Sequence, residues 1–429
     1  MKNDILNILI NAYACSPSWG SEPGMAWNWV SSLSKYCNLY IITEGEWRDE
    51  IDAAVAHHPY GNRLHFYYNE VSPEIRKMCW NQGDWRFYIY YRQWQKTTLE
   101  IEKQIIARLK DESIRTGEHR EINVVHHLNM IGYREPGYEW TLEEIPFVWG
   151  PIGGCELMSK GFLSGETLKI KFAMYLKNFF NNLQRKYQPN FIKALNRAGA
   201  LSAATKGVYD FITEYHHKNI VLLNETGCYE RELPTKKHDK ETFDVVWVGK
   251  FDYRKQVGLA LETIAKLKNC ENLKLHIIGS GTDTEIKRFH NLAKKLCIED
   301  IVVWHGRIPN PEVQQIMQDG DLFLFTSIME GTPHVVLEAV QNALPVICFD
   351  ACGQSGVVDN SIGIKIPMID KQHAVNDFAM AILKLYQNPA LLKQMSINCN
   401  QRQKELSWDN KAKIMIELYE KAIRDFEKK

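Results

Sequence analysis

The sequence predicts an α/β protein made of two doubly wound parallel sheets, and three observations predict it. At 429 residues the chain exceeds what one ordinary hydrophobic core encloses and suits two domains. Short apolar runs alternate with segments of helical periodicity along its second half. The charged, turn-prone stretch Glu230-Arg231-Glu232-Leu233-Pro234-Thr235-Lys236-Lys237-His238-Asp239-Lys240 separates that half from a noisier but similar first half.

In the first half, strands are expected at 5–14, 39–43, 64–68, 123–127, 146–149, 200–204 and 220–223, with helices at 25–33 and 168–183. In the second half they are expected at 244–251, 273–279, 301–304, 322–325, 345–349 and 363–366. Helical patterns near 259–268, 284–295, 311–318 and 333–343 lie between those strands, which is the order of a doubly wound sheet. The segment 408–426 places Ile414, Ile416, Leu418, Tyr419 and Ile423 in an amphipathic helix that packs on a neighbouring domain. The expected division is therefore 1–229, a linker at 230–242, 243–407, and a closing helix at 408–429.

Composition excludes several classes. Apolar residues make up 45% and charged residues 24%, as in a folded soluble protein. Fifty-two basic side chains balance 52 acidic ones, so no global field recruits nucleic acid and any anion site must be local. The cysteines at 15, 37, 79, 155, 228, 270, 297, 348, 352 and 399 show no Cys-x-x-Cys or paired spacing. That points to reduced thiols and a cytoplasmic protein rather than a disulfide framework or zinc site. Asp4 and Asn7 interrupt the first apolar run, which reads as a buried strand rather than a signal, and no run reaches the length of a membrane span.

Glu330 and Glu338 flank seven residues in Ser327-Ile328-Met329-Glu330-Gly331-Thr332-Pro333-His334-Val335-Val336-Leu337-Glu338. The preceding run 322–325 is continuously apolar and aromatic, as in a buried parallel strand. Thr332 as N-cap with Pro333 at the first helical position starts a helix, which puts Glu330 on the loop and Glu338 in the helix. Ligands of open α/β sheets collect beyond the carboxyl ends of strands, where free N–H groups of a helix start attract anions. A carboxylate beside such an anion site suits a sugar hydroxyl. Taken alone, the pair also fits a turn-capping glutamate and a solvated one.

In this context the pair resembles the E-x7-E motif of the large retaining "group 1" glycosyltransferases (glycosyltransferase family 4). The resemblance implies the GT-B architecture, two Rossmann-like domains facing a cleft, with the last helix crossing back to the N-terminal, acceptor-side domain. It also implies that Glu330 binds the donor sugar and Glu338 the ribose of a nucleotide-diphosphate sugar. Gly331, Thr332, Pro333 and His334 would hold the donor beside them.

Lys250 and Lys255 follow the first strand of the second half. Fixed cations there would stabilise the charge that develops on a departing diphosphate. The family carries an arginine and, five residues later, a lysine at this place; Lys255 matches, and Lys250 keeps the charge without the bidentate geometry. Arg254 is an alternative cation. The loop Ser18-Trp19-Gly20-Ser21-Glu22-Pro23-Gly24 and the loop Trp149-Gly150-Pro151-Ile152-Gly153-Gly154 each follow a strand. Gly20, Gly153 and Gly154 could bring backbone N–H groups close to a phosphate or line the cleft. By resemblance, a histidine near His126 and His127 meets the donor; adjacent strand residues face opposite ways, and His126 is preferred. Asn224 matches the asparagine after the last strand of the first domain. Gly306, Arg307 and Ile308 match the segment that reads the nucleobase. Gln354-Ser355-Gly356 departs from the acidic residue that relatives carry.

The pair Asp319 and Asp321 precedes its strand and so lies away from the cleft, a poor metal site; the expectation is no metal and no cofactor. The helix at 168–183 shows Phe172, Tyr175, Leu176, Phe179 and Phe180 on one face within a basic stretch. It either lies on an anionic membrane, at the inner face of the cell membrane and near a lipid-linked saccharide acceptor, or packs over a sheet. The reading is a glycosyltransferase that moves a sugar from a nucleotide diphosphate to a hydroxyl with retention, in surface polysaccharide or glycolipid synthesis. Rivals are a nucleotide-sugar epimerase of related shape, and a sugar-nucleotide-binding protein without turnover. A dinucleotide oxidoreductase would need the Gly-x-Gly-x-x-Gly turn, which the chain lacks.

Overall fold

The computed structural model describes residues 5–163, 168–234, 241–331 and 333–428. A seven-stranded sheet comprises β1 (Asn7–Ala12), β2 (Asn38–Thr43), β3 (Leu64–Tyr68), β4 (Val124–Asn129), β5 (Phe147–Ile152), β6 (Ala200–Ala203) and β7 (Val221–Leu222). A six-stranded sheet comprises β8 (Phe243–Val248), β9 (Leu273–Ile278), β10 (Val302–Gly306), β11 (Leu322–Phe325), β12 (Val346–Phe349) and β13 (Gly363–Ile366). Their orders are β3-β2-β1-β4-β5-β6-β7 and β10-β9-β8-β11-β12-β13, with parallel pairing at both centres. Strand order reverses between β1 and β4 and again between β8 and β11. At such points the crossovers leave to opposite sides and open a crevice beyond the carboxyl ends.

Every residue of β1, β4, β5, β11 and β12 is buried, which requires cover on both faces. In the second sheet Trp247, Leu275, Leu324 and Phe349 pack with Phe378 of the helix Lys371–Tyr386. In the first sheet Ile8, Ile10 and Leu39 pack with Trp29 of the helix Ser21–Leu33. Trp408, Met415 and Tyr419 of the last helix, Trp408–Glu427, join that same core. The chain crosses between the halves twice at one place, because Cys228 and Leu406–Trp408 pair their backbones, 3.1 Å for each bond.

The closing helix thus returns to the first sheet. Ser407 caps it, its hydroxyl accepting from Asn410 N–H, and Trp408 meets Trp29 edge to face at 5.8 Å. Its buried face differs from the expected one. Lys411, Ala412, Met415, Leu418, Tyr419 and Ala422 are buried, while Ile414, Ile416 and Ile423 are only partly so. Small residues let the helix approach closely: a Cβ added to Gly199 would stand 3.0 Å from the Ala422 Cβ.

Tyr419 donates its hydroxyl proton to Nδ1 of His126 at 2.7 Å, because His126 Nε2 must carry the proton it gives to the Gly150 carbonyl at 2.6 Å. Burial lowers the His126 pKa from 6.5 to about 4. Its folded pKa lies below its unfolded one, so its contribution is complete above pH 6.5 and is lost as pH falls towards 4. Tyr419→Phe leaves a buried ring nitrogen unpaired and should cost about 1–3 kcal/mol in a denaturant titration at pH 7. An unchanged midpoint would show that the helix docks without this bond.

Other elements also depart from expectation. Pro333 is the cap residue and the helix begins at His334, ending at Gln341, while Thr332 lies outside the described residues. β5 runs on through Gly150 and Pro151 to Ile152 rather than turning there. The 31-residue helix Arg86–Thr116, which no apolar periodicity announced, buries Gln95, Thr98 and Glu102 along the same stripe as Phe87, Tyr91, Trp94, Ile105 and Leu109. Part of the expected linker, 235–240, is outside the described residues; Arg231 before it donates to the Gln341 carbonyl at 3.0 Å.

Candidate functional site

Beyond the carboxyl ends of β8, β9 and β10 lies a cavity of about 710 Å³. Lys250, Arg254, Lys255, Arg307, Ile308 and Glu330 line it. The rest of its wall comes from the apolar Val248, Ile278, Val313 and Val335 and from Gly249, Gly279, Ser280, Gly281 and Gly306. Gly279 is obligatory here: its φ is +133°, and an added Cβ would stand 1.8 Å from the Gly249 carbonyl oxygen. The close approach brings two strand ends together, with Gly249 N–H donating to Ile278 O at 3.0 Å and Gly279 N–H to Gly306 O at 2.8 Å.

The basic loop is tied to the loop after β11. Trp247 Nε1–H donates to Thr326 Oγ1 at 2.9 Å, and Thr326 donates to the Lys255 carbonyl at 2.7 Å. Ile328 N–H donates to the Arg254 carbonyl at 2.9 Å. Asp252 accepts from the backbone N–H of Arg254 and Lys255, and its carboxylate pairs with the Arg254 guanidinium at 3.0 Å. Lys255 Nζ lies 2.6 Å from Glu330 Oε1, with 16% and 15% of the two side chains exposed. Ser327 Oγ donates to the same oxygen at 2.7 Å. A cation and a carboxylate are therefore held together at the cavity wall, each partly shielded from water.

Glu338 sits one turn beyond Val335, which lines the cavity; Glu338 itself is half-buried and is not one of the residues that line it. His334 stands at the helix start, where desolvation by the surrounding protein holds its pKa below the usual value despite the nearby Glu338. Gly331 is exposed, and an added Cβ would stand 3.0 Å from Glu225 Oε1, which places it against the first domain. Asp321 lies at the opposite end of β11, where its carboxylate accepts from Asp244 N–H at 2.8 Å.

Several residues expected on the first-domain side are placed otherwise. His126 does not face the cleft: both its nitrogens are engaged beneath the closing helix, and it is fully buried. His127 faces the opposite side, also buried, with Nδ1 3.3 Å from Glu139. There it joins Asn11, which donates to Gln95 at 2.8 Å and also bonds Glu139. Burial, and then the charge of Glu139, push the neighbouring Glu102 well above the usual carboxylate range. Asn224 is occupied in joining the two halves, its amide donating to Ala204 O at 2.8 Å and Gly353 O at 3.0 Å. Gly153 N–H is spent on Ile131 O at 2.7 Å, whereas Gly154 is exposed at φ +85°. Gly20 is exposed as the cap of the helix Ser21–Leu33.

Sequence reasoning passed over a carboxyl pair on this side. Glu22 keeps one oxygen buried without a hydrogen-bond partner among the described residues. Burial, and then the charge of Glu225, raise its pKa to about 8. Glu225 in turn borders Gly331. The signal available was a glutamate directly after the turn at Gly20. Its partner is about two hundred residues distant, and only the fold supplies it.

Residues 230–402, which contain Lys250, Lys255, Glu330 and Glu338, match the family model described as "Glycosyl transferases group 1". That part of the chain is a group 1 glycosyl transferase domain. The lipopolysaccharide 1,6-galactosyltransferase of Escherichia coli (strain K12) is 32% identical over 134 residues, 30% of this chain and 36% of the relative. The matched segment thus spans about a third of that relative's length. Among solved structures, the lipopolysaccharide outer core galactosyltransferase WaaB in its apo form superposes with a TM-score of 0.58, at 15% identity over 98% of this chain and 99% of that one. Anabaena Alr3699/HepE in complex with UDP gives 0.55, at 11% identity over 96% and 98%. At these identities the likeness shows the fold, and the chain has the GT-B architecture.

Proposed function

We propose that the protein is a glycosyltransferase that moves a sugar, with retention, from a nucleotide diphosphate to a hydroxyl of a saccharide or lipid-linked saccharide. The observation that carries this reading is the Lys255–Glu330 pair, set with Lys250, Arg254 and Arg307 around a crevice at the strand-order switch. A diphosphate has the charge to draw Lys255 away from Glu330. The freed carboxylate then accepts from a sugar hydroxyl, while Glu338 accepts from the ribose. The base lies towards Arg307 and Ile308. In this scheme residues 243–407 hold the donor, and 1–229, with the closing helix, form the acceptor side.

Chemically, the anomeric carbon–oxygen bond to the β-phosphate breaks and a bond to the acceptor oxygen forms on the same face. The acceptor proton passes to the departing phosphate oxygen. Lys250 and Lys255 favour the state in which that oxygen carries most charge, which lowers the barrier rather than only tightening binding. These cations take the charge-neutralising role that a divalent metal would otherwise have. The similarity to a lipopolysaccharide galactosyltransferase supports a surface-polysaccharide or glycolipid acceptor.

A thermal-shift screen against nucleoside diphosphates and their sugars should raise the unfolding temperature with one base in preference to others. If no diphosphate stabilises the protein, the reading is wrong. Product analysis with the stabilising donor then separates transfer from epimerisation and from binding without turnover.

A further inference from the structure

The helix Leu168–Tyr187 is mounted with its apolar side outward. Leu168, Phe172, Tyr175, Phe179, Phe180 and Leu183 fall on one broad face, and that face is exposed: Phe172 is 70% accessible, Phe179 58% and Phe180 52%. The inward face is polar. Asn178 is buried and brackets Met158, accepting from its N–H at 3.0 Å and donating to its carbonyl at 2.8 Å. Asn181 accepts from Arg134 at 2.7 Å, and Arg185 donates to the Cys155 carbonyl at 3.0 Å. A helix that merely covered a sheet would have these faces reversed. The exposed surface continues onto the start of the helix Arg86–Thr116, where Trp85 and Ile89 are exposed. There Tyr88 and Arg92 share a groove with Leu183 and Tyr187.

Charge selects what would cover this surface. Lysines and arginines recur from residue 162 to 206, and Glu166 is the sole acid in that stretch of sequence. On the helix itself Lys169 and Lys177 are exposed beside the aromatic face. A second copy docking through the same face would set these cations against their own kind. Anionic headgroups would neutralise them while acyl chains take the phenyl rings. No helix among the described residues is long and apolar enough to cross a membrane, so the surface can lie on a bilayer but not span it.

We propose that this surface seats the protein on an anionic lipid bilayer, with the helix in the headgroup plane, Phe172, Phe179 and Phe180 among the acyl chains, and Lys169 and Lys177 at the phosphates. The inference rests on the glycosyltransferase reading only in giving the enzyme access to a lipid-linked acceptor.

The test is sedimentation of the full chain with phosphatidylcholine vesicles, with and without about one-third phosphatidylglycerol. Binding is expected to the anionic vesicles alone and to weaken with salt. Phe172→Ser with Phe179→Ser should reduce it about tenfold or more, and Lys169→Gln with Lys177→Gln should reduce both binding and its salt dependence. These side chains are exposed, so unchanged thermal unfolding will show that the variants fold. No sedimentation with anionic vesicles, or equal sedimentation of the phenylalanine variant, would overturn the proposal. So would a dimer in light scattering that the phenylalanine variant abolishes, since the face would then belong to a second copy. Donor turnover on a water-soluble acceptor is measured in parallel: its absence with vesicle binding intact would sink the enzymatic reading and leave this one standing.

Discussion

Lys255→Ala is expected to lower kcat/KM on the order of tenfold to a thousandfold, through loss of one or two charge-assisted contacts to the departing diphosphate. The fall should lie mainly in kcat, because the contact strengthens as charge moves onto the leaving oxygen. Lys255 is held from several directions: its carbonyl by Thr326, its N–H by Asp252, and its ammonium by Glu330. Lys255→Arg keeps the charge but not the reach, and should recover only part of the loss. Combining Lys255→Ala with Glu330→Gln should cost less than the sum of the single changes, since the two side chains touch. Unchanged steady-state kinetics in Lys255→Ala would remove this residue from the site.

Gly279→Ala should be the most damaging single change in the cavity beyond β8, β9 and β10. At φ +133° an alanine is strained, and its methyl carbon would stand 1.8 Å from a backbone oxygen of Gly249, which no side-chain rotation relieves. β8 and β9 must part where Gly249, Ile278 and Gly306 exchange hydrogen bonds. The expected cost is about 3 kcal/mol or more in a denaturant titration, with loss of nucleotide-diphosphate stabilisation in whatever protein remains folded. A soluble variant with the parent's midpoint and the parent's thermal shift would show that this backbone approach is dispensable.

How far the sequence could be read depends on where each residue's partners lie. β3, β11 and β13 run from first to last residue as expected. β11 is buried throughout and therefore apolar throughout, whereas β3 and β13 are partly buried edge strands that admit His65 and Lys365. The helix Arg86–Thr116 escaped notice for the converse reason. Its inward stripe includes Gln95, Thr98 and Glu102, whose partners Asn11, Asn69 and Glu139 lie in distant segments, so its polar residues look like solvated ones. The two histidines show the same limit. Alternation along β4 correctly puts His126 and His127 on opposite faces, but it does not say that each face is covered. His126 lies under the closing helix, and His127 lies in the buried cluster beneath Arg86–Thr116.

By itself the sequence determined two parallel α/β sheets, a closing amphipathic helix, and the gathering of Lys250, Lys255, Arg307 and Glu330 near strand ends. These follow from local periodicity and from the rule that parallel strands all end on the same side. Only the tertiary structure decided which face of the closing helix is buried, that Asn224 joins the halves, that Glu22 meets Glu225, and that an aromatic helix turns its apolar side to solvent. Each of those depends on a contact between segments far apart along the chain, and the chemical character of a residue does not reveal its partner until the backbone has brought the two together.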